Sequence, residues 1–307
     1  MRRIIFGSWS KFLTSWHDVS SVACPRRSRG SFAMKLSKVC AVATSLLLFS
    51  FAITLAVKPV AGQSPAPAAT QKLDKKEILD KARQAYYVLQ NLGVKTFQCT
   101  VQPDWKKMLD SVGKKSTEAG DPLLTQLAAV SFTAVVDEQG NATLTPTIPI
   151  GGAADPGVTQ IIDGAQKMLM GFFQTWASLA FGNPYPSSND ANLTFSDQAD
   201  GYHFTEKSGE QNIEMVLGRD YALITLKVTA PGVIIVTHPR FTKTDKGFLM
   251  AGAASDINNG AQKVDIQVEY QTVEGFQFPQ KVSYLASLQD MTVAVEMNFA
   301  KFQITKR

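Results

Sequence analysis

The chain has 307 residues, of which 45% are hydrophobic and 19% are charged, and this excludes a wholly disordered, collagen-like or disulfide-dense protein. The formal net charge of +5 comes from residues 1–62, which hold nine of the 31 basic residues and one of the 26 acids. The rest of the chain carries 22 basic and 25 acidic residues. Its net charge is therefore slightly negative and gives no support for a nucleic-acid partner.

Residues 1–62 have the pattern of an export leader. A basic start at 34–38 precedes an uncharged run at 39–57 and small residues that fit signal-peptidase cleavage after Gly62. We therefore predict a mis-extended start at 1–33, a signal peptide at 34–62 and export to the periplasm or the extracellular space. The alternative is an N-terminal membrane anchor, because the uncharged run is long enough to span a bilayer.

The mature part of the chain is predicted to be one domain. Residues 63–71 are rich in Pro and Ala and predict a linker, and residues 72–307 predict a single α+β domain. Cys24 and Cys40 fall in the leader, so Cys99 has no partner for an internal disulfide.

The first half of this domain has mixed periodicity. A helical pattern follows Asp74 and is expected to end at Gly93, and a strand with Phe97, Cys99 and Val101 on one face follows it. Short helices are predicted at 104–112 and 117–129, and a hairpin is predicted from strands at 132–136 and 142–145.

Residues 158–181 predict a long amphipathic helix with an apolar stripe and polar residues opposite it. From Asn192 onward the period is two, and turn residues recur about every ten positions. The inward parity changes near Ala300 and Lys301, which predicts a β-bulge. We therefore predict the α+β class: a curved antiparallel β-meander, or half-barrel, with an N-terminal helix and a helical lid insertion.

Residues with catalytic potential are few. Cys99 is predicted to be a buried small hydrophobe, and the alternative is a nucleophile paired with His203 or His238. His203 is expected to face solvent and His238 to end a strand. The acids Asp190, Asp197 and Asp200 are expected on a solvated loop, with a metal site as the alternative.

The many Met and aromatic residues of the predicted long helix, together with Trp105 and Met108, predict a ligand cavity. A helix rich in Met and aromatic residues against the concave side of a sheet is a way to build an adaptable apolar cavity, and a filled core is the alternative. The predicted ligand-binding residues are Phe97, Trp105, Met108, Met168, Leu169, Phe172, Phe173 and Trp176.

The order of elements over about 74–304 resembles that of the lipoprotein-localisation carriers of the bacterial periplasm, the LolA-like superfamily, and the best local match is in the C-terminal half. The matching segments are 201–204, 239–241, 247–249, 270–271 and 275–279, which repeat a strand, turn and Gly-x-x-x-Pro rhythm. The resemblance implies a half-barrel closed by a helical lid that holds the acyl chains of a lipoprotein. The arginine that latches the lid in that family has no counterpart here, because Pro103 leads into a predicted helix.

The favoured function is that of an exported, non-enzymatic carrier with no cofactor and no metal. Its expected partners are a lipid or lipoprotein acyl chains, with an envelope membrane or membrane protein as a further partner, and the expected state is a monomer. Two alternatives stay open: an envelope or surface interaction module with a filled core, and a hydrolase that uses Cys99 or the acids near Asp197.

Overall fold

A computed structural model of the protein describes residues 74–111, 121–148, 156–182, 185, 192–288 and 291–307. The predicted leader, 1–62, and linker, 63–71, lie outside the described residues. Asp190 and the first residues of the helix predicted at 117–129 lie outside them as well.

Helices occur only in the first half of the described chain, and strands fill the second half. The elements, in chain order, are α1 (Lys75–Gln84), β1 (Val94–Pro103), α2 (Trp105–Ser111), α3 (Pro122–Ala128), β2 (Ser131–Val136), β3 (Ala142–Thr147), α4 (Pro156–Ala180), β4 (Leu193–Gln198), β5 (Gly201–Ser208), β6 (Gln211–Leu217), β7 (Leu223–Ala230), β8 (Val233–Thr244), β9 (Gly247–Ile257), β10 (Gln262–Val273), β11 (Phe276–Leu288) and β12 (Met291–Lys306).

The strands form one open, curved antiparallel sheet of twelve strands in the order β3-β2-β1-β12-β11-β10-β9-β8-β7-β6-β5-β4. Strands β3 and β4 follow each other along the chain but lie at opposite edges of the sheet. The chain between them, which contains α4, therefore passes from one edge to the other. The predicted α+β half-barrel with a helical insertion is confirmed.

The sheet bends where its ladders change register. Register shifts occur between β1 and β12, β6 and β7, β8 and β9, and β10 and β11. A bulge bends the bulged strand and increases its twist, which curves the sheet. The bulge predicted near Ala300 and Lys301 is confirmed: the register shifts opposite Cys99, and Lys301 has a φ of 55°.

One face of the sheet carries the core, and we call it the concave face. It bears alternate residues of each strand, such as Phe97 and Cys99 on β1, Val282 on β11, and Val295 and Met297 on β12, and all five are buried. The alternation follows directly from the two-residue period of a strand. The opposite face carries mostly polar side chains.

The first helix is shorter than predicted. Helix α1 ends at Gln84 and not near Gly93, although Asp74 caps its start by accepting a hydrogen bond from Lys76 N. Residues 86–89 are all buried, which one face of a helix does not allow. The carbonyl of Ala85 instead accepts a hydrogen bond of 2.7 Å from Phe248 N on β9. This tertiary contact ends the helix.

Two further expectations for the second half were wrong. Asp197 lies on the edge strand β4 and not in a loop, because 193–198 pair with β5. His238 does not end a strand; it lies inside β8, which runs on through Pro239 to Thr244. Pro239 lies next to the register shift between Arg240 and Phe241. Proline has no N–H to give to a ladder and is tolerated in strands at such irregular positions.

We predict that Gly247→Ala lowers the free energy of unfolding by about 3 kcal/mol, because a Cβ there adds both backbone strain and overpacking. Gly247 has a φ of +116°, and an added Cβ would lie 2.6 Å from Ala85 O and 2.9 Å from Tyr87 N. Both contacts are backbone atoms, so no side-chain rotation relieves them. Chemical denaturation measures the loss.

The matched control is Gly232→Ala. Gly232 also has a positive φ, of +75°, but an added Cβ would have no neighbour within 4 Å. Its expected loss is about 1–2 kcal/mol, from backbone strain alone. Equal losses in the two variants would contradict the close approach of residues 85–87 to β9 as the cause.

Candidate functional site

Helix α4 lies on the concave face and is the centre of the candidate site. Pro156 occupies its first turn, where a missing N–H costs nothing, and 25 residues give it a length of about 38 Å. Its apolar stripe is turned toward the sheet, and Ile161, Leu169 and Phe172 are among the residues it buries there. Burial of this stripe is what holds α4 in place.

An aromatic cluster joins α4 to the sheet. Phe97 on β1 is its hub, with ring centroids 5.9 Å from Trp176, 5.1 Å from Phe278 and 5.8 Å from Phe181. Phe172 lies 5.7 Å from Phe299 on β12. Such edge-on and tilted pairs contribute about 0.5–1.5 kcal/mol each beyond the area they bury. The members of the aromatic cluster are Phe97, Phe172, Phe173, Trp176, Phe181, Phe278, Phe299 and Phe302.

Two tyrosines of the sheet hold α4 by hydrogen bonds. Trp176 Nε1 donates to Tyr270 Oη at 3.1 Å, and Tyr270 Oη donates to the carbonyl of Met250 at 2.5 Å. Tyr284 Oη donates to the carbonyl of Met168 at 3.3 Å. Burial raises the pKa of both phenols well above its usual range, so both remain neutral donors.

Further hydrogen bonds fix both halves of α4. Gln166 Nε2 donates to the carbonyl of Leu144 on the edge strand β3 at 3.0 Å. At the C-terminal end of α4, the carbonyl of Ala180 accepts a hydrogen bond of 2.9 Å from Leu89 N. The helix is thus tied to β3 near its middle and to the segment after α1 at its C-terminal end.

Most of the predicted ligand-binding residues come together here. Phe97, Leu169, Phe172, Phe173 and Trp176 are at most 2% exposed and belong to one apolar core. Met168, on the same helix, is partly buried against that core and presents its carbonyl to the sheet.

The two predicted residues on α2 have a different role. Trp105 Nε1 donates to the carbonyl of Val130 at 3.1 Å, and its ring centroid lies 6.4 Å from that of Phe132. Met108 is buried on the same helix. Trp105 therefore anchors α2 to the start of β2.

Side chains of α4 and of the sheet pack against each other in one apolar core. Two surface depressions of the described chain have volumes of about 240 Å³ and about 390 Å³. Phe248 and Lys243 are among the residues that line the first, and His238 and Leu285 are among those that line the second. None of the predicted ligand-binding residues lines either depression. In this arrangement the aromatic cluster is a packed contact.

Sequence reasoning placed the relevant strands but missed several residues of the site. Tyr270, Tyr284 and Phe299 fall in the inward rows predicted from period two, yet nothing in those rows marks which of them touch a helix far away in the chain. Phe181 lies just beyond α4 and is fully buried. The sequence feature that could have identified these residues is the occurrence of aromatic residues at inward positions of three neighbouring strands, β10 to β12.

The residues with catalytic potential do not converge. Cys99 is buried as predicted, and burial raises the pKa of its thiol to about 12, so the nucleophilic thiolate is absent at neutral pH. His203 contacts Asp200 at 2.8 Å, and His238 contacts Thr225 at 3.3 Å. Neither histidine has a hydrogen bond to Cys99.

The acids considered for metal binding have other partners. Asp197 accepts a hydrogen bond of 2.7 Å from Arg219, and the carboxylate of Asp200 contacts the ring of His203. Among the residues that the structure describes, no group of three His, Cys, Asp or Glu side chains is placed to hold a metal ion.

Comparisons with known proteins add a weak likeness of fold. No protein-family model matches the chain, and no curated protein sequence matches it. The chain is similar to the crystal structure of a LolA superfamily protein from Nitrosomonas europaea, with 10% identity and a TM-score of 0.27, over 76% of this chain and 95% of that one. Within the described residues, no helix has both the length and the apolar character that a membrane span requires.

We predict that the protein loses stability as the pH rises from about 8.5 to about 12. Burial raises the pKa of Cys99 and of Tyr86 to about 12, whereas both groups ionise at lower pH in the unfolded chain. Above the unfolded pKa the unfolded state binds fewer protons than the folded state, so each group destabilises the fold by about 1.4 kcal/mol per pH unit.

Denaturant unfolding at a series of pH values measures this slope. In Cys99→Ala the loss between about pH 8.5 and 10 should be smaller, because the buried tyrosines that remain ionise in the unfolded chain only near pH 10. An unchanged slope in this variant would contradict the assignment to the buried thiol.

Proposed function

We propose that this protein is a non-enzymatic binding protein for an apolar ligand, the acyl chain of a lipid or of a lipoprotein, which it holds between α4 and the concave face. The observation that carries the proposal is the way in which α4 covers the sheet. One inserted helix closes the apolar face through an aromatic cluster and the hydroxyls of Tyr270 and Tyr284. This contact has no backbone ladder with the sheet, so it opens when side-chain contacts and single hydrogen bonds, such as that of Leu89 N with the Ala180 carbonyl, break.

The ligand would replace the contacts that α4 makes. Transfer of an acyl chain from water is favourable by about 0.8 kcal/mol per CH₂, which gives on the order of 10 kcal/mol for a long chain without polar recognition. Because side chains fill the site, α4 has to move away from the sheet before a chain enters. The observed affinity is then the intrinsic affinity reduced by the fraction of molecules in which α4 is displaced.

The cellular setting belongs to the same proposal. The leader pattern at 34–62 supports export, and a carrier outside the cytoplasm would receive its acyl chains from an envelope membrane or from a membrane protein. Movement of α4 would release the ligand to the next acceptor.

A second candidate function is an envelope or surface interaction module without a ligand. The observation that favours it is the burial of the aromatic cluster, since Phe172 and Trp176 are fully buried by the sheet. This candidate predicts that no acyl chain binds under any condition, and it is distinguished from the carrier by the experiment below.

We predict that Tyr270→Phe binds a fluorescent long-chain fatty acid more tightly than the unaltered chain does. The variant leaves Trp176 Nε1 and the carbonyl of Met250 without partners when α4 is closed. A buried unpaired group costs about 1–3 kcal/mol, which favours the displaced helix and tightens apparent binding by about 5-fold or more. Fluorescence titration of the full chain measures the affinity.

The matched control is Tyr87→Phe. Tyr87 is also buried, and its hydroxyl accepts a hydrogen bond of 2.9 Å from Gln277 N, at a place that does not involve α4. This variant should lose stability without a gain in affinity. Weaker or unchanged binding in Tyr270→Phe would show that α4 does not cover the site, and absence of binding in every variant would favour the interaction module.

A further inference from the structure

The two edges of the open sheet differ in how their outward backbone groups are satisfied. On β3, the hairpin register turns the backbone of Leu144 and Pro146 away from β2. The Leu144 carbonyl accepts a hydrogen bond from Gln166 of α4, and Pro146 has no N–H to offer. This edge is therefore protected against pairing with another strand.

Strand β4 forms the opposite edge, and its register fixes which groups point outward. Gln198 pairs with Gly201 across a two-residue turn, so every second residue of β4 is hydrogen-bonded to β5. The backbone groups of Leu193, Phe195 and Asp197 then point away from the sheet. The pairing of β5 with β6 supports this parity, since Ser208 and Gln211 close the next two-residue turn.

Within the described chain, only one of these outward backbone groups has a hydrogen-bond partner, the carbonyl of Leu193. The carbonyl of Leu193 accepts a hydrogen bond of 3.1 Å from Lys75 Nζ. Within the described chain, the N–H and C=O groups of Phe195 and Asp197 have no hydrogen-bond partner. A row of such groups is a template for another strand.

We propose that β4 is the surface through which two copies of this chain associate, by antiparallel pairing of β4 with β4 about a two-fold axis at Phe195. Phe195 then faces Phe195 of the second copy, and each exchanges its N–H and C=O with the other. The same pairing sets Leu193 opposite Asp197 of the second copy. The strand is thus self-complementary, as an isologous interface requires.

Charge complementarity supports the second copy as the occupant. Lys75 Nζ lies at the carbonyl of Leu193, so the pairing brings this ammonium next to the carboxylate of Asp197 in the second copy, whose Oδ1 already accepts from Arg219. Lys75 can turn from the Leu193 carbonyl to that carboxylate, and the carbonyl then accepts from Asp197 N of the second copy. The two-fold axis repeats this exchange on the other side.

The side chains of β4 fit the same arrangement. The half-buried ring of Phe195 packs on Phe204 at 5.1 Å, and pairing places a second Phe195 ring beside it on the concave side. On the other face, the exposed Thr194 lies opposite the exposed Ser196 of the second copy, and cross-strand Thr–Ser pairs are favourable.

The first test removes the outward N–H of Phe195. Sedimentation of the full chain from about 1 μM to about 1 mM should show a monomer–dimer equilibrium within the range expected for a small interface. Phe195→Pro removes the outward N–H and leaves the β5 ladder intact, and it should abolish the dimer. Phe195→Ala loses the same ring but keeps the N–H, and it should still dimerise.

Each other outcome overturns the proposal. A monomer at every concentration means that β4 does not pair with itself, and a dimer that survives Phe195→Pro has its interface elsewhere. A monomer that carries a bound peptide assigns the edge to a different partner.

A second test does not depend on the folding of the proline variant. In the proposed register, Thr194 and Ser196 of the second copy form a pair without backbone hydrogen bonds, where a disulfide fits. The double variant Thr194→Cys with Ser196→Cys should give a covalent dimer under mild oxidation, and Thr194→Cys alone should give much less. Equal yields in the two variants, or no covalent dimer in the double variant, would overturn the proposed register.

Discussion

The covering of the concave face by α4 is the contact on which the rest of the structure depends. Strands β3 and β4 lie at opposite edges of a twelve-stranded sheet although they follow each other in the chain. Eleven strand spacings correspond to about 53 Å of backbone-to-backbone distance along the sheet. The chain between these strands has to make this crossing, and α4 makes it over the apolar face, so connectivity and core burial are met by the same element.

The sequence was enough to predict the overall architecture, but it was not enough to predict where α1 ends or which strand forms the edge of the sheet. Period two in 264–299 predicted the strands, and the change of parity at Lys301 predicted the bulge, because both patterns are local. The end of α1 at Gln84 was not predictable from local pattern, since it depends on the contact of Ala85 with Phe248. The edge strand β4 was missed for a related reason: its alternation ends at Asp197, whose partner Arg219 lies 22 residues away.

In the candidate site, too, the sequence predicted which residues take part but not how they are packed. The apolar stripe of α4 identified Phe172, Phe173 and Trp176 as one surface, and the structure confirms that they share it. The sequence does not distinguish a lined cavity from a filled contact, because both require the same side chains. What separates them is the free energy needed to displace α4, which depends on hydroxyl contacts such as those of Tyr270 with Trp176 and of Tyr284 with Met168.

The pairing of β1 with β12 has a consequence for the order in which the protein folds. This ladder joins Val94 to Lys306, and it is the only strand pairing that connects the β3-β2-β1 sheet segment to the other nine described strands. Such distant pairings form late and slow the folding of a domain. During synthesis, β1 therefore cannot complete its pairing until the last strand has been made. In that interval the outer edge of β1 lacks its partner strand, and unpaired strand edges are prone to aggregation.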